Sequence, residues 1–222
     1  KKRKREMNEL FELNSKNLKK GYFWSAGFLS FIFILLLLFD SSKIPLKWII
    51  IVFFGTLILL PLFILSVWSW DWYRNRRNYN RIYCKKPYRN LKRIRFYNRV
   101  KSVIHINGMI DYIYFSKFNN WEIYFEVSFL KPKVVTFSIR GHIPEFRKKK
   151  DELRKLNVEN IEIDRYGVLW KINTKNENIN SIKEIESKIY DMIKVAEKLN
   201  CEKTETNKFE KVLNTTPYKI NC

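Results

Sequence analysis

The chain has 222 residues, of which 46% are hydrophobic and 29% charged, and its 43 Lys and Arg against 22 Asp and Glu give a formal net charge of +21. The charge is unevenly placed: residues 1–110 hold 22 basic and 5 acidic side chains, whereas residues 111–222 hold 21 and 17. Three widely spaced cysteines, Cys84, Cys201 and Cys222, exclude a metal or redox motif and are expected to be free thiols.

Residues 1–20 form a basic N-terminal segment in which Met7, Leu10, Phe11, Asn14 and Leu18 recur at helical spacing, the pattern of an amphipathic helix against a membrane surface or a neighbouring subunit. Residues 21–73 are expected to form a transmembrane hairpin. Its two apolar runs, Gly21–Phe39 and Trp48–Trp70, carry no charged residue. At ~1.5 Å of rise per residue they reach roughly 28 Å and 34 Å, enough for a hydrocarbon core of about 30 Å. The eight residues Asp40–Lys47 between them force the second helix back beside the first, and no cleavage site follows Phe39 to suggest a signal peptide. Eight Lys or Arg precede the first run and eleven follow the second within Arg74–Arg99, against Lys43 and Lys47 in the loop, so both termini are expected on the cytoplasmic side. Pro61 removes a backbone donor and leaves the carbonyl of Leu57 without its helical partner. Ser25, Ser30, Gly55, Thr56, Pro61, Ser66 and Ser69 are the residues expected to shape hairpin packing or a path among several copies.

Residues 74–99 read as a basic juxtamembrane connector. From Trp72 to Ile110 there are twelve basic residues and no acidic one. Attraction to anionic membrane lipids accounts for Arg74–Lys86, close to the helix end. Arg89–Lys101 lies farther on and prefers Arg, the planar, bidentate phosphate binder. Arg89, Arg93, Arg95 and Arg99 are therefore candidate ligand-binding residues.

Residues 100–200 read as an α+β domain with an antiparallel sheet, in the order β4-α-β2-α. Val100–Ile106 and Met109–Ser116 flank an Asn107-Gly108 turn; Trp121–Phe129 and Val134–Arg140 complete a meander. Pro144 opens a helix to about Leu156, Ile161–Asp164 and Val168–Ile172 form a second hairpin, and Ser181 with Glu184 has capping-box spacing for a helix to about Leu199. Residues 201–222 form a polar tail.

No Gly-rich phosphate loop, Gly-x-Ser-x-Gly elbow or His-Glu-x-x-His pattern is present, so neither an enzyme nor a cofactor or metal site is expected. His105 falls inside a strand. His142, between a strand end and a helix start beside Arg140, is the better placed histidine, and Arg140, His142 and Arg165 join the ligand-binding candidates.

The order of parts, Gly21–Trp70 followed by Lys86–Asn200, resembles the small two-pass membrane effectors of bacterial anti-phage nucleotide-signalling systems. The resemblance implies a homo-oligomer in the bacterial inner membrane whose cytosolic domain binds a nucleotide or short oligonucleotide that controls membrane permeability. Two alternatives stay open. One is a membrane-anchored scaffold that binds protein through Tyr112, Tyr114, Trp121 and Tyr124. The other is a lipid-surface sensor that uses Arg74–Lys101.

Overall fold

The computed structural model describes residues 2–40, 45–103, 109–128, 131, 133–146, 160–164, 166–176, 179–203 and 211–212. The chain comprises two long apolar helices followed by an antiparallel sheet domain. It divides into two compact units, residues 1–74 with 103–111 and residues 75–102 with 112–222.

In the first unit, α1 (Lys2–Asp40) is one helix of 39 residues, so the amphipathic N-terminal segment and the first apolar run share a single axis. No proline interrupts it. The second apolar run is α2 (Leu46–Phe54), a π-helical turn (Gly55–Leu59) and α3 (Leu60–Tyr83). Two helical stretches, Glu6–Leu38 and Lys47–Tyr83, are long and apolar enough to cross a membrane, and only 6% of the most apolar window of each is buried. Phe28, Leu36, Leu38 and Phe63 are among the side chains facing outward.

The π turn ends two residues before Pro61. It moves the backbone bonding by one residue, so that the N–H of Leu60 donates to the carbonyl of Gly55. The carbonyl of Leu57, which the proline deprives of its helical donor, accepts instead from the hydroxyl of Tyr22 on α1 at 3.1 Å.

The N-terminal part of α1 buries Leu10, Leu13, Asn14 and Leu18, while Met7 and Phe11 are exposed. Asn14 holds the Ile110 backbone by two bonds: its Nδ2 donates to the carbonyl at 2.9 Å, and the Ile110 N–H donates to Oδ1 at 2.6 Å. Trp72 Nε1 donates to the same carbonyl at 2.9 Å. Leu10, Asn14 and Leu18 of the expected amphipathic face therefore pack within the chain, and Met7 and Phe11 of the same face are left exposed.

The second unit is built on a sheet of eight strands: β1 (Asn98–Val103), β2 (Ile110–Phe118), β3 (Trp121–Val127), β4 (Val134–His142), β5 (Ile161–Asp164), β6 (Gly167–Asn173), β7 (Glu202–Lys203) and β8 (Lys211–Val212). Their order is β5-β6-β4-β3-β2-β1-β8, with β7 pairing the end of β4. β2 and β3 are joined by Asn119-Asn120, both at positive φ, the two-residue turn whose twist suits a hairpin. β5 and β6 also meet across two residues, and Gly167 (φ +142°) opens β6 where a Cβ would collide with the carbonyl of Ile139 on β4. Gly141 likewise admits β7: a Cβ there would lie 2.5 Å from Cys201 Sγ and 2.6 Å from the Glu202 carbonyl. The polar tail thus supplies two short strands.

α4 (Ile182–Lys198) begins at Ser181, whose Oγ accepts from the Glu184 N–H at 3.1 Å. The Glu184 carboxylate reaches back to the N–H of Asn180 at 3.2 Å, one residue before the cap. Its apolar face, Ile185, Ile189, Met192, Ile193 and Ala196, packs against β6 and β4. The same core takes in Phe125, Phe137, Trp170, Tyr79 and Tyr83. The Asn107-Gly108 turn, most of the helix expected from Pro144 to Leu156, and Arg165 lie outside the described residues.

Candidate functional site

Aromatic residues at the end of α3 fix the basic region. Tyr79 and Tyr83, one turn apart, stack on Tyr114 with ring centroids 5.7 and 4.7 Å away. Tyr114 and Phe125 are the last paired residues of the β2–β3 ladder, and the Tyr79 hydroxyl sits between them, accepting from the Tyr114 N–H at 3.1 Å and donating to the Phe125 carbonyl at 3.0 Å. Burial raises the pKa of both phenols well above the ordinary tyrosine value, with the neighbouring Tyr114 adding to the effect. Arg76, 1% exposed, donates to the Tyr112 carbonyl at 3.0 Å and belongs to this packed interior, away from the basic surface.

A 3-10 helix (Tyr88–Ile94) follows. With three residues per turn, Tyr88, Leu91 and Ile94 fall on its inner side, and Tyr88 and Leu91 are buried. Arg89, Lys92 and Arg95 recur on the outer side, with Arg93 beside them; the three arginines are exposed. Two hydroxyls pin the segment from within: Ser116 Oγ donates to the Ile94 carbonyl and Tyr83 to that of Phe96, each at 2.7 Å. Arg95 itself takes a left-handed conformation, φ 65°, closing the helix. Among the described residues, Arg89, Arg93 and Arg95 form no ion pair.

The other candidates are placed differently. Arg99 is half-buried on β1, its guanidinium 4.4 Å above the Tyr112 ring. Arg140 on β4 bonds Glu126 at 2.7 Å and lies 4.5 Å above Tyr124, so its charge is compensated inside the sheet face. His142 is exposed at the end of β4, opposite Glu202. The structure therefore brings together Arg89, Arg93 and Arg95, leaves Arg99 and Arg140 with aromatic partners, and sets His142 at another strand end. Among the described residues no three His, Cys, Asp or Glu side chains could hold a metal ion.

Of the hairpin residues, Ser25 donates to the carbonyls of Gly21 and Tyr22 at 2.8 and 3.0 Å, Thr56 to that of Phe53 at 3.0 Å and Ser66 to that of Leu62 at 2.8 Å. Their hydroxyls are satisfied by their own helices. Ser30 Oγ has no hydrogen-bond partner among the described residues, and Ser69 is half-buried. Gly55 opens the π turn with nothing within 4 Å of where a Cβ would stand, as at Gly27, while Pro61 is buried. An open apolar groove of about 470 Å³ is lined by Leu18, Lys19, Tyr22, Phe23 and Leu65.

Of the three cysteines expected as free thiols, Cys222 lies outside the described residues. Cys84 is disulfide-bonded, whereas Cys201 is a buried free thiol whose pKa burial pushes up. Composition places cysteines in a compartment only on average and cannot pair them.

Comparison with protein-family models, with curated proteins and with solved structures finds no match for this chain.

Proposed function

We propose that the chain is a two-pass membrane protein that assembles with copies of itself, and that its sheet domain binds a nucleotide or short oligonucleotide controlling the permeability of the helical assembly, as an effector of anti-phage defence in the bacterial inner membrane. The observation that carries the reading is the ridge of exposed, acid-free arginines Arg89, Arg93 and Arg95. Planar guanidinium groups on a pinned backbone suit phosphate oxygens. The ridge follows directly on α3, the helix that continues the second apolar run.

Three features support the membrane part. Most side chains in the most apolar window of each long helical stretch face outward, only 6% of each window being buried. Gly27 and Gly55 open onto empty space, where the backbone of another copy can approach closely. The apolar groove carries Lys19 among its lining residues, a combination suited to an anionic lipid. The aromatic side chains on which the scaffold alternative depends, Tyr112, Tyr114, Trp121 and Tyr124, are 1–6% exposed and belong to the interior. That leaves the arginine ridge as the better candidate surface.

Titration of the full chain in detergent with nucleotides and short DNA or RNA, at low and moderate salt, tests the reading. Binding at low salt that weakens with salt, and weakens further in R93Q/R95Q, is expected. Absence of binding at low salt, or binding indifferent to those substitutions, overturns it.

A further inference from the structure

The β3–β4 turn and the turn after β6 end side by side. Val134 and Asn173 are register partners, and beyond them Thr174 donates twice to the carbonyl of Lys133, from its N–H and from its Oγ1, each at 2.9 Å. The second turn is closed on itself: the Lys175 N–H donates to Asn173 Oδ1 at 3.2 Å, and the Asn176 N–H to the Asn173 carbonyl at 3.0 Å. Two turns fixed in this way bring the backbone origins of Lys133 and Lys175 together, and the positive charge of Lys175 bears on that of Lys133. Lys85, in the turn after α3, adds a third positive charge nearby. All three are exposed, and among the described residues none of them pairs with a carboxylate. Long, flexible side chains at an open surface normally separate from like charges; here the backbone holds their origins together.

We propose that Lys85, Lys133 and Lys175 form the seat of a phosphate group, of the diphosphate or phosphodiester kind that presents several anionic oxygens at once. An anion between Lys133 and Lys175 replaces their mutual repulsion with two charge-assisted hydrogen bonds. The same repulsion is why the Lys175 ammonium lowers the pKa of Lys133. The seat adjoins the arginine ridge through a direct backbone bond: the Arg89 N–H donates to the Lys85 carbonyl at 2.8 Å. One ligand can therefore span both, its phosphate on the lysines and a second anionic group against Arg89. The inference rests on the proposed function in taking a phosphate-bearing ligand, but the lysine seat stands whether or not the helices conduct.

The test uses the full chain in phosphatidylcholine nanodiscs, with inorganic pyrophosphate as the probe. K133Q and K175Q are each expected to weaken pyrophosphate binding roughly tenfold or more. K175Q should leave the melting temperature unchanged or raise it, because it removes a repulsion. Binding that is unchanged in K133Q and K175Q overturns the seat; if it is also lost in R93Q/R95Q, the ridge survives alone. Pyrophosphate binding that needs both lysines, with no change in membrane permeability, keeps the seat and removes the control proposed above. Nanodiscs containing phosphatidylglycerol separate the two sources of phosphate. A fall in pyrophosphate affinity confined to proteins that retain Lys133 and Lys175 assigns the seat to a lipid headgroup, and equal affinity in both kinds of disc assigns it to a soluble ligand.

Discussion

At the scale of single residues, Tyr22 and Tyr79 act alike: each hydroxyl reaches backbone groups that local geometry has left without partners. Tyr22 completes the Leu57 carbonyl orphaned by Pro61. Y22F leaves that carbonyl unsatisfied in apolar surroundings, and a loss of about 1 kcal/mol is expected in denaturant titration of the detergent-solubilised chain. Tyr79 bridges the Tyr114 N–H and the Phe125 carbonyl where the β2–β3 ladder ends. Y79F exposes both groups to the penalty of burial without a bond, about 2 kcal/mol by the same measurement. The orphaned carbonyl was legible from Pro61 alone. Its partner was not, because nothing local relates residue 22 to residue 57. Asn14 was counted by periodicity as part of an amphipathic face, yet its work is to bond the backbone of Ile110, 96 positions away.

At the scale of elements, the end of α3 shows why sequence reading of charge stops short. The run from Arg74 to Arg99 is uniformly basic, but helical geometry divides it. Arg76 faces inward with Tyr79 and Tyr83, Arg77 and Arg81 face outward, and the 3-10 helix divides its own residues again at every third position. The strands were more transparent, since alternation in Trp121, Ile123 and Phe125 puts one face in the core, as found. Tyr124 on the other face is buried as well, which alternation cannot foretell. The buried phenols give this region a pH signature. Tyr79 and Tyr83 have folded-state pKa values raised above the unfolded value of about 10. Their contribution to stability is therefore whole below about pH 10 and is eroded as pH rises from there toward the folded-state values, because only the unfolded chain readily loses those protons. Alkaline unfolding followed by tyrosinate absorbance should begin in that window. In Y83F, at equal starting stability, it should be shallower.

For the whole molecule, the asymmetry of basic residues predicts that a reporter fused after Cys222 is active on the cytoplasmic side. A fusion active only outside the cytoplasm would contradict the arrangement. Neither long helix carries a charge within its apolar run, and two helices do not enclose water, so cross-linking in native membranes is expected to return species larger than the monomer. A ligand can shift such an assembly only by its difference in affinity between two states, and about 5.5 kcal/mol is needed to turn a 1:99 mixture into 99:1. Several charge-assisted bonds at roughly 1.5–3 kcal/mol each suffice if they form in one state alone. The direct measurement is dye release from liposomes containing the full chain, with a panel of di- and trinucleotides added on the side of the sheet domain. At least one of them is expected to change the release rate, and R93Q/R95Q to abolish the change; release indifferent to every one of them, in a preparation that binds them, would contradict control of permeability by the ligand.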